Sequence, residues 1–123
     1  MRPPAILSHV AKYSEELDGI FVALADPTRR AVVRRLGRGP ASVSDLADEY
    51  SITLPSFMKH VGKLEASGLI DTHKAGRVRI CTLNRQRLAL VDDWLTEQRR
   101  IWAERTDRLQ SLVESADHEE RTS

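Results

Sequence analysis

A short segment in the middle of the sequence carries side chains whose chemistry suits nucleic-acid binding. Hydroxyl, ammonium and imidazole groups recur there at three- and four-residue intervals, at Ser56, Lys59, His60 and Lys63. Side chains at this spacing lie on one face of a helix. Lysine and serine bind phosphate groups and the edges of bases, and a helix N-terminus adds backbone N–H donors. The segment therefore predicts a helix that faces DNA.

Residues on both sides of this segment extend the predicted DNA-binding surface. Thr53 and Pro55 lie at the start of the same helix, in the half that enters the major groove in helix-turn-helix proteins. A following hairpin supplies basic side chains for the phosphate backbone or a minor groove, at Lys74, Arg77 and Arg79. Single exposed lysines are common on proteins, so the prediction depends on the order and spacing of the whole set.

The charge distribution supports a phosphate-facing middle of the chain. Between Pro27 and Arg87 there are 12 lysine and arginine residues and five acidic residues, a net charge of +7. The segment before Pro27 has a net charge of −2 and the segment after Arg87 a net charge of −4, within a whole chain of +1. A basic region of this kind is typical of a nucleic-acid-binding surface. The alternative is a helix surface with incidental charge.

Periodic apolar residues and capping signals divide the chain into five helices and a hairpin. Asp26 and Pro27 suit an N-cap and a first helical position, Ser42 with Asp45 resembles a capping box, and Thr53 and Asn84 are expected to cap later helices. The arginines of the second helix are expected to point outward. The predicted helices cover about Ala5–Leu24, Thr28–Leu36, Val43–Tyr50, Leu54–Ser67 and Arg85–Ser115, and the predicted strands Leu69–His73 and Val78–Leu83.

The order of these elements predicts a winged helix-turn-helix. The fold class is mainly α with a small β-hairpin wing, in the order α-α-α-α-β-β-α, within a single domain of residues 1–123. The third and fourth helices, joined by the turn Ser51–Thr53, would form the motif that places one helix in a DNA groove. A chain of this length is sufficient for one domain with its own core.

Broad apolar faces on both terminal helices predict a homodimer. On the last helix the apolar positions cover an arc of roughly 160°, which is more than one packing contact requires. Residues from about 5 to 25 and from about 85 to 115 are therefore predicted to be dimerisation helices, unless they pack only on their own domain. The predicted interface residues are Leu17, Ile20, Phe21, Val91, Trp94, Leu95, Ile101, Trp102, Leu109 and Leu112.

Three stretches of the sequence resemble the ArsR-type winged-helix transcriptional regulators. ALADPTRRAVVRRL resembles the helix that precedes the motif in that family, and LPSFMKHVGKLEASGLI resembles its recognition helix and the start of its wing. DDWL…IWAERTDRLQSL resembles the last helix of a subgroup that has two tryptophans. The resemblance covers about residues 15–115. It implies a homodimer that binds an imperfect palindrome and usually represses a promoter.

The sequence predicts no metal, cofactor or catalytic site. The stretch matching one family metal site, Ser42–Leu46, lacks a Cys-x-Cys pair, and residues 88–116 lack the histidine of the other. His9 and His118 could meet across a dimer, but ordinary surface histidines are favoured. Cys81 is expected to be a small core residue. No Gly-rich phosphate loop or Ser-His-Asp set is present, so the chain is not expected to be an enzyme.

The predicted function is that of a sequence-specific transcriptional regulator, a repressor that binds a palindromic operator as a homodimer. Its predicted partners are double-stranded DNA and a second copy of the chain, with an effector left unknown. No membrane segment or signal peptide is recognised, and a single cysteine gives no disulfide framework, so the expected location is cytoplasmic. Two alternatives remain open: a metal- or small-ligand-responsive sensor of the same fold, and a protein-interaction module that retains a winged helix.

Overall fold

The computed structural model describes the backbone of residues 5–122 and the side chains of residues 12–119. Over this range the chain forms five α-helices and a three-stranded antiparallel sheet. In chain order the elements are α1 (Ala5–Leu24), α2 (Pro27–Leu36), β1 (Ala41–Ser42), α3 (Val43–Glu49), α4 (Leu54–Ala66), β2 (Ile70–Ala75), β3 (Val78–Leu83) and α5 (Arg85–Thr122). This architecture confirms the predicted winged helix-turn-helix.

The structure differs from the predicted elements in two places. The two-residue strand β1 was not predicted, and it pairs antiparallel with β3, with Ala41 opposite Cys81, so that the strand order is β1-β3-β2. A strand of two residues is too short to display the alternation that signals a strand in a sequence. The helix α5 continues to Thr122 instead of ending near Ser115, because its last polar segment contains glutamate and arginine, which are good helix formers.

The corner between α1 and α2 is closed by Asp26 and Arg29. Asp26 Oδ2 accepts a hydrogen bond of 3.0 Å from the backbone N–H of Arg29, as the predicted N-cap requires. Contrary to the expectation that the α2 arginines point outward, Arg29 is only 8% exposed. Its Nε and Nη2 atoms donate to the carbonyl oxygens of Ala23 and Val22, at 2.6 and 3.1 Å. Both carbonyls lie in the last turn of α1, where the helix runs out of N–H donors, so the buried arginine supplies a donor to Ala23 and a second one to Val22, which also accepts from Ala25 N–H.

The hydrophobic core joins the first four helices to the sheet. On α4, Phe57, Val61 and Leu64 are buried at intervals of four and three residues, so one face of this helix lies against the core as predicted. Cys81 is also buried, which confirms its predicted place in the core, and burial raises the pKa of its thiol. The other fully buried side chains are Ile20, Val32, Leu36, Leu46, Leu69 and Ile70.

The predicted caps at Ser42 and Asn84 form, whereas the cap at Thr53 does not. Ser42 Oγ accepts a hydrogen bond from the backbone N–H of Asp45 at 3.1 Å, and Asn84 Oδ1 accepts one from Arg87 at 3.2 Å. Thr53 occupies the N-cap position of α4, but its side chain makes no capping hydrogen bond, so that expectation is wrong. The Thr53 hydroxyl is therefore not used to satisfy the first N–H groups of α4.

The hairpin of β2 and β3 ends in a tight loop. The strands pair along their whole length, and their last pair is Ala75 with Val78. Only Gly76 and Arg77 remain in the loop, and Gly76 has a φ of +65°, a conformation that glycine adopts without a steric cost. The loop is shorter than the four residues predicted, because Lys74 is already paired within the sheet.

The structure consists of two compact units. The first extends to Leu90 and contains α1 to α4, the sheet and the start of α5. Within this unit an ion pair of 3.3 Å joins Arg87 Nη1 at the start of α5 to Glu16 Oε2 of α1. The second unit begins at Val91 and consists of the rest of α5. That the whole chain acts as a single domain stays a prediction.

The second unit is a helix with its own network of polar side chains. Arg100 donates hydrogen bonds to Glu97 and Glu104, at 2.6 and 2.7 Å. The hydrogen bond and charge of Arg100 lower the pKa of Glu97.

Among the described residues, no helix is long and apolar enough to cross a membrane.

Candidate nucleic-acid interface

The helix α4 presents a polar and basic face on the side opposite the core. Pro55, Ser56, Lys59 and Lys63 are exposed, as is Thr53 immediately before the helix. No acidic residue occurs on α4 until Glu65, near its C-terminal end. The structure therefore brings five of the predicted DNA-binding residues together on one helix and its N-cap.

His60 lies at the edge of this polar face and contacts a neighbouring part of the fold. Its side chain lies at the junction of α4 with the α1–α2 corner, and its Nδ1 atom is 3.3 Å from Arg29 Nη1 and 3.7 Å from Asp26 Oδ2. The side chain is 24% exposed. The helical position of His60, three residues after Phe57 and four before Leu64, places it at the edge of the buried face. His60 therefore contributes to this junction, and its contact with DNA stays a prediction.

The strand register decides which basic residues of the hairpin share a face. Lys74 pairs with Arg79, and Thr72 pairs with Cys81, so these four side chains extend from the same face of the sheet. Because Cys81 points into the core, that face is the one on which α4 packs. Lys74 and Arg79 therefore lie on the α4 side of the hairpin, beyond the edge of the core, and Arg77 lies exposed in the loop.

Arg79 also fixes the hairpin against α4. Its Nη1 atom donates a hydrogen bond of 2.8 Å to Thr72 Oγ1, and that hydroxyl donates one of 2.7 Å to Glu65 Oε2. An open groove of about 540 Å³ lies beside these residues and is lined by Met58, Gly62 and Arg79 among others. The hydrogen-bonded chain holds the acidic end of α4 close to a positive charge. It also links the hairpin directly to α4.

Lys63 lies toward the α1 side of α4. It lines an open groove of about 260 Å³ together with Val22 and Ala23 of α1. Lys59 is four residues earlier and lies one turn closer to the N-terminus of α4. The basic face of α4 therefore runs obliquely, from its N-terminal half toward α1.

The predicted interface residues divide into buried and exposed groups. Leu17 and Ile20 are 5% and 0% exposed within a single copy of the chain, so they belong to the core and have no surface left for a partner. The prediction that these two residues contact a partner is therefore wrong. Val91 and Ile101 are half-buried, and the more exposed members are Phe21, Trp94, Leu95, Trp102, Leu109 and Leu112.

A further basic cluster, on α2 and the turn that follows it, was not among the predicted site residues. Arg30, Arg34, Arg35 and Arg38 line one concavity together with Tyr50 at the end of α3. The four-residue spacing of Arg30, Arg34 and Arg38 is visible in the sequence, but the pattern indicates only that the arginines of α2 point outward. Arg29, one position before this series, is the member that turns inward.

No group of three histidine, cysteine, aspartate or glutamate side chains that could hold a metal ion is found among the described residues. The side chain of His9 lies outside the described range, so the structure does not address its predicted alternative pairing with His118.

Comparison with known proteins identifies the family. A family model described as a helix-turn-helix domain matches residues 24–73, from the end of α1 to the middle of β2. The HTH-type transcriptional regulator Rv2034 of Mycobacterium tuberculosis is 33% identical over 98 residues, which are 80% of this chain and 89% of that protein. The transcriptional repressor SdpR of Bacillus subtilis is 29% identical over 79 residues, 64% of this chain and 88% of that repressor.

A solved structure agrees with these relatives. The crystal structure of the ArsR family transcriptional regulator RHA00566 is 57% identical, covers 72% of this chain and 92% of its own, and superposes with a TM-score of 0.68. These similarities confirm the predicted class of DNA-binding regulator rather than enzyme. The chain belongs to the ArsR family of winged helix-turn-helix transcriptional regulators.

Proposed function

We propose that this regulator is a homodimeric repressor that binds a palindromic operator through α4 and the hairpin. The observation that carries the proposal is the outer face of α4, where Ser56, Lys59 and Lys63 are exposed while the opposite face is fixed in the core. A helix held in this way can enter a major groove with its lysines beside phosphates. The name of the B. subtilis relative supports repression as the outcome.

The hairpin adds a second set of contacts to this proposal. Lys74 and Arg79 extend on the side of the sheet that packs on α4, and Arg77 is exposed in the two-residue loop. In the proposed complex, α4 occupies the major groove and these basic residues bind the flanking backbone or minor groove. The hydrogen bonds that join Arg79 through Thr72 to Glu65 link the two contact sets directly.

The apolar stripe of α5 supports a homodimer. Leu95, Trp102 and Leu109 recur at seven-residue intervals, and Trp102 and Leu109 are 54% and 64% exposed. A seven-residue apolar repeat is typical of helices that pair with one another. Arg100 and its two glutamate partners occupy the other side of the helix. We propose a second copy of the chain as the occupant of this stripe, because that copy presents the same apolar repeat in a two-fold arrangement.

Selection of bound duplexes from random genomic fragments, followed by sequencing and footprinting, tests the proposal. We expect an inverted repeat whose half-sites are centred about 10 base pairs, or a multiple of that, apart. Sedimentation of the protein–DNA complex should give two chains per operator. Recovery of no enriched sequence at low salt would contradict DNA recognition. Recovery of a single unrepeated site bound by one chain would contradict the homodimer.

A further inference from the structure

The strongest unassigned feature is a basic concavity between α2 and the C-terminal end of α3. It is open to solvent, has a volume of about 540 Å³, and lies outside both α4 and the hairpin. We call it the α2 arginine pocket, and its lining includes Arg30, Arg34, Arg35, Arg38, Glu49 and Tyr50.

The local sequence explains why four guanidinium groups gather here. Arg30 and Arg34 are four residues apart on α2, which places their side chains above one another on one side of the helix, and Arg38 follows in the turn just after the helix ends. The other wall is fixed by Tyr50, whose hydroxyl donates a hydrogen bond of 3.0 Å to the carbonyl oxygen of Ala31. The pocket is therefore formed by two elements that are bonded directly to each other.

The charges in this pocket are only partly neutralised. Arg35 Nε lies 3.5 Å from Glu49 Oε2, and Arg30 Nη1 donates a hydrogen bond of 2.8 Å to the carbonyl oxygen of Leu24. Among the described side chains, no carboxylate pairs with Arg34 or Arg38 within 4.0 Å. Like charges that line one concavity repel each other. An anion bound between them would relieve this repulsion.

The donor set favours an anion with several oxygen atoms. Each guanidinium presents N–H donors in a planar fork that matches two oxygens of a phosphate group. The negative charge of Glu49 would repel any anion, but it is paired with Arg35. Because Arg35 is engaged in that pair, Arg34 and Arg38 are the main donors for a bound anion. The open mouth of the pocket also admits a phosphate that remains attached to a larger molecule.

We propose that the α2 arginine pocket binds a phosphate group, with Arg34 and Arg38 as its principal ligands. The phosphate could belong to the DNA backbone flanking the operator or to a free small phosphorylated compound, and both sources present the same chemistry. The binding of a free phosphate does not depend on the proposed repressor function, whereas the DNA source extends the surface proposed above.

Isothermal titration calorimetry with inorganic pyrophosphate tests the pocket directly. We expect Arg34→Ala and Arg38→Ala each to weaken pyrophosphate binding by about tenfold, since a hydrogen bond to a charged group contributes on this order. Arg108→Ala is the matched control, because it removes one exposed arginine from α5 and should leave binding unchanged. Both pocket arginines are exposed, so loss of folding is not expected to confuse the result.

Duplex binding by the same variants identifies the source of the phosphate. If it belongs to DNA, Arg34→Ala and Arg38→Ala should weaken duplex affinity and reduce its salt dependence, and pyrophosphate should compete with the duplex. If it belongs to a free compound, pyrophosphate should bind the preformed protein–DNA complex without releasing the duplex. Either result supports the pocket.

The proposal would be overturned if both pocket variants matched Arg108→Ala in pyrophosphate binding and in duplex binding. A protein that bound pyrophosphate through Arg34 and Arg38 but bound no duplex would contradict the proposed repressor while leaving the pocket intact. A protein that binds no pyrophosphate, loses duplex binding in Lys59→Ala and keeps it in both pocket variants would contradict the pocket while leaving the proposed repressor intact.

Discussion

The guanidinium of Arg29 closes the end of α1 by donating a hydrogen bond from Nε to the carbonyl oxygen of Ala23, at 2.6 Å. The same side chain donates to Val22 and lies against His60 of α4. One residue of α2 therefore joins the end of the first helix to α4. The orientation of α4 depends on this junction as well as on its apolar contacts.

Replacement of Arg29 should therefore destabilise the fold more than replacement of its exposed neighbour. We expect Arg29→Met to lower the free energy of unfolding by about 2 kcal/mol, because the buried carbonyl of Ala23 loses its side-chain donor and a second hydrogen bond, to Val22, is lost with it. Arg30→Met removes a single hydrogen bond at the surface and serves as the control. Urea unfolding followed by circular dichroism measures both. Equal decreases in the two variants would show that the buried guanidinium has no special role.

Asp26 should make stability depend on pH in the acid range. The backbone N–H of Arg29, followed by the nearby charges of His60 and Arg29, lowers the pKa of this carboxyl in the folded state. A group with a lowered folded pKa contributes stability that is present above its unfolded pKa of about 4 and is lost as pH falls through the folded value.

Asp26→Ala should therefore reduce the loss of stability between about pH 5 and pH 3. Urea midpoints measured across this range compare the variant with Asp93→Ala, which removes an exposed carboxylate from α5. The Asp93→Ala protein should retain the pH dependence of the wild type. An unchanged slope in Asp26→Ala would mean that the N-cap carboxylate does not couple folding to protonation.

Two glycines should respond in opposite directions to replacement by alanine. Gly68 has a φ of +79°, and a Cβ atom there would lie 2.5 Å from Arg87 Nε, so Gly68→Ala should cost more than about 1 kcal/mol. Gly62 lies within α4, where an added Cβ meets nothing within 4 Å, and Gly62→Ala should stabilise the protein by about 0.5–1 kcal/mol. Thermal or urea unfolding distinguishes them, and a change of the same sign in both would be inconsistent with this backbone geometry.

Charge in the apolar stripe of α5 should separate the proposed dimer. Trp102→Glu places a carboxylate in the middle of the seven-residue repeat, and two such charges would face each other across a two-fold interface. Sedimentation velocity should show a shift from dimer to monomer, with weaker binding to the operator. Thr96→Glu adds the same charge on another side of α5 and should remain dimeric. A Trp102→Glu protein that stays dimeric would locate the interface elsewhere.

Most helices could be predicted from the sequence because their signals are local. The bounds of α1 and β3 agree with the prediction, and the caps at Asp26, Ser42 and Asn84 form. The strand β1 could not be predicted, because it has two residues and is defined only by its pairing with β3. Long-range pairing leaves no periodic pattern in so short a segment.

The candidate site was predictable in position but not in every side chain. Periodicity placed Lys59 and Lys63 on the outer face of α4, where the structure also has them. It could not show that His60, at the edge of that face, would contact Arg29, because Arg29 was itself expected to point outward. Nor could periodicity show that Leu17 and Ile20 are buried in the core of a single copy of the chain. Both errors have one cause, since the apolar and polar patterns of a helix do not reveal which neighbour it packs against.

The most direct test of DNA recognition by α4 is fluorescence anisotropy of a labelled operator duplex over a series of salt concentrations. We compare the wild type with Lys59→Ala/Lys63→Ala and with Lys12→Ala/Arg108→Ala, which removes two positive charges from α1 and α5. We expect the α4 variant to bind at least about tenfold more weakly, with its log–log salt slope reduced by about 0.9 for each phosphate that a lysine no longer neutralises. The control should match the wild type. An α4 variant with wild-type affinity and salt slope, or one no weaker than the control, would contradict DNA recognition by this helix.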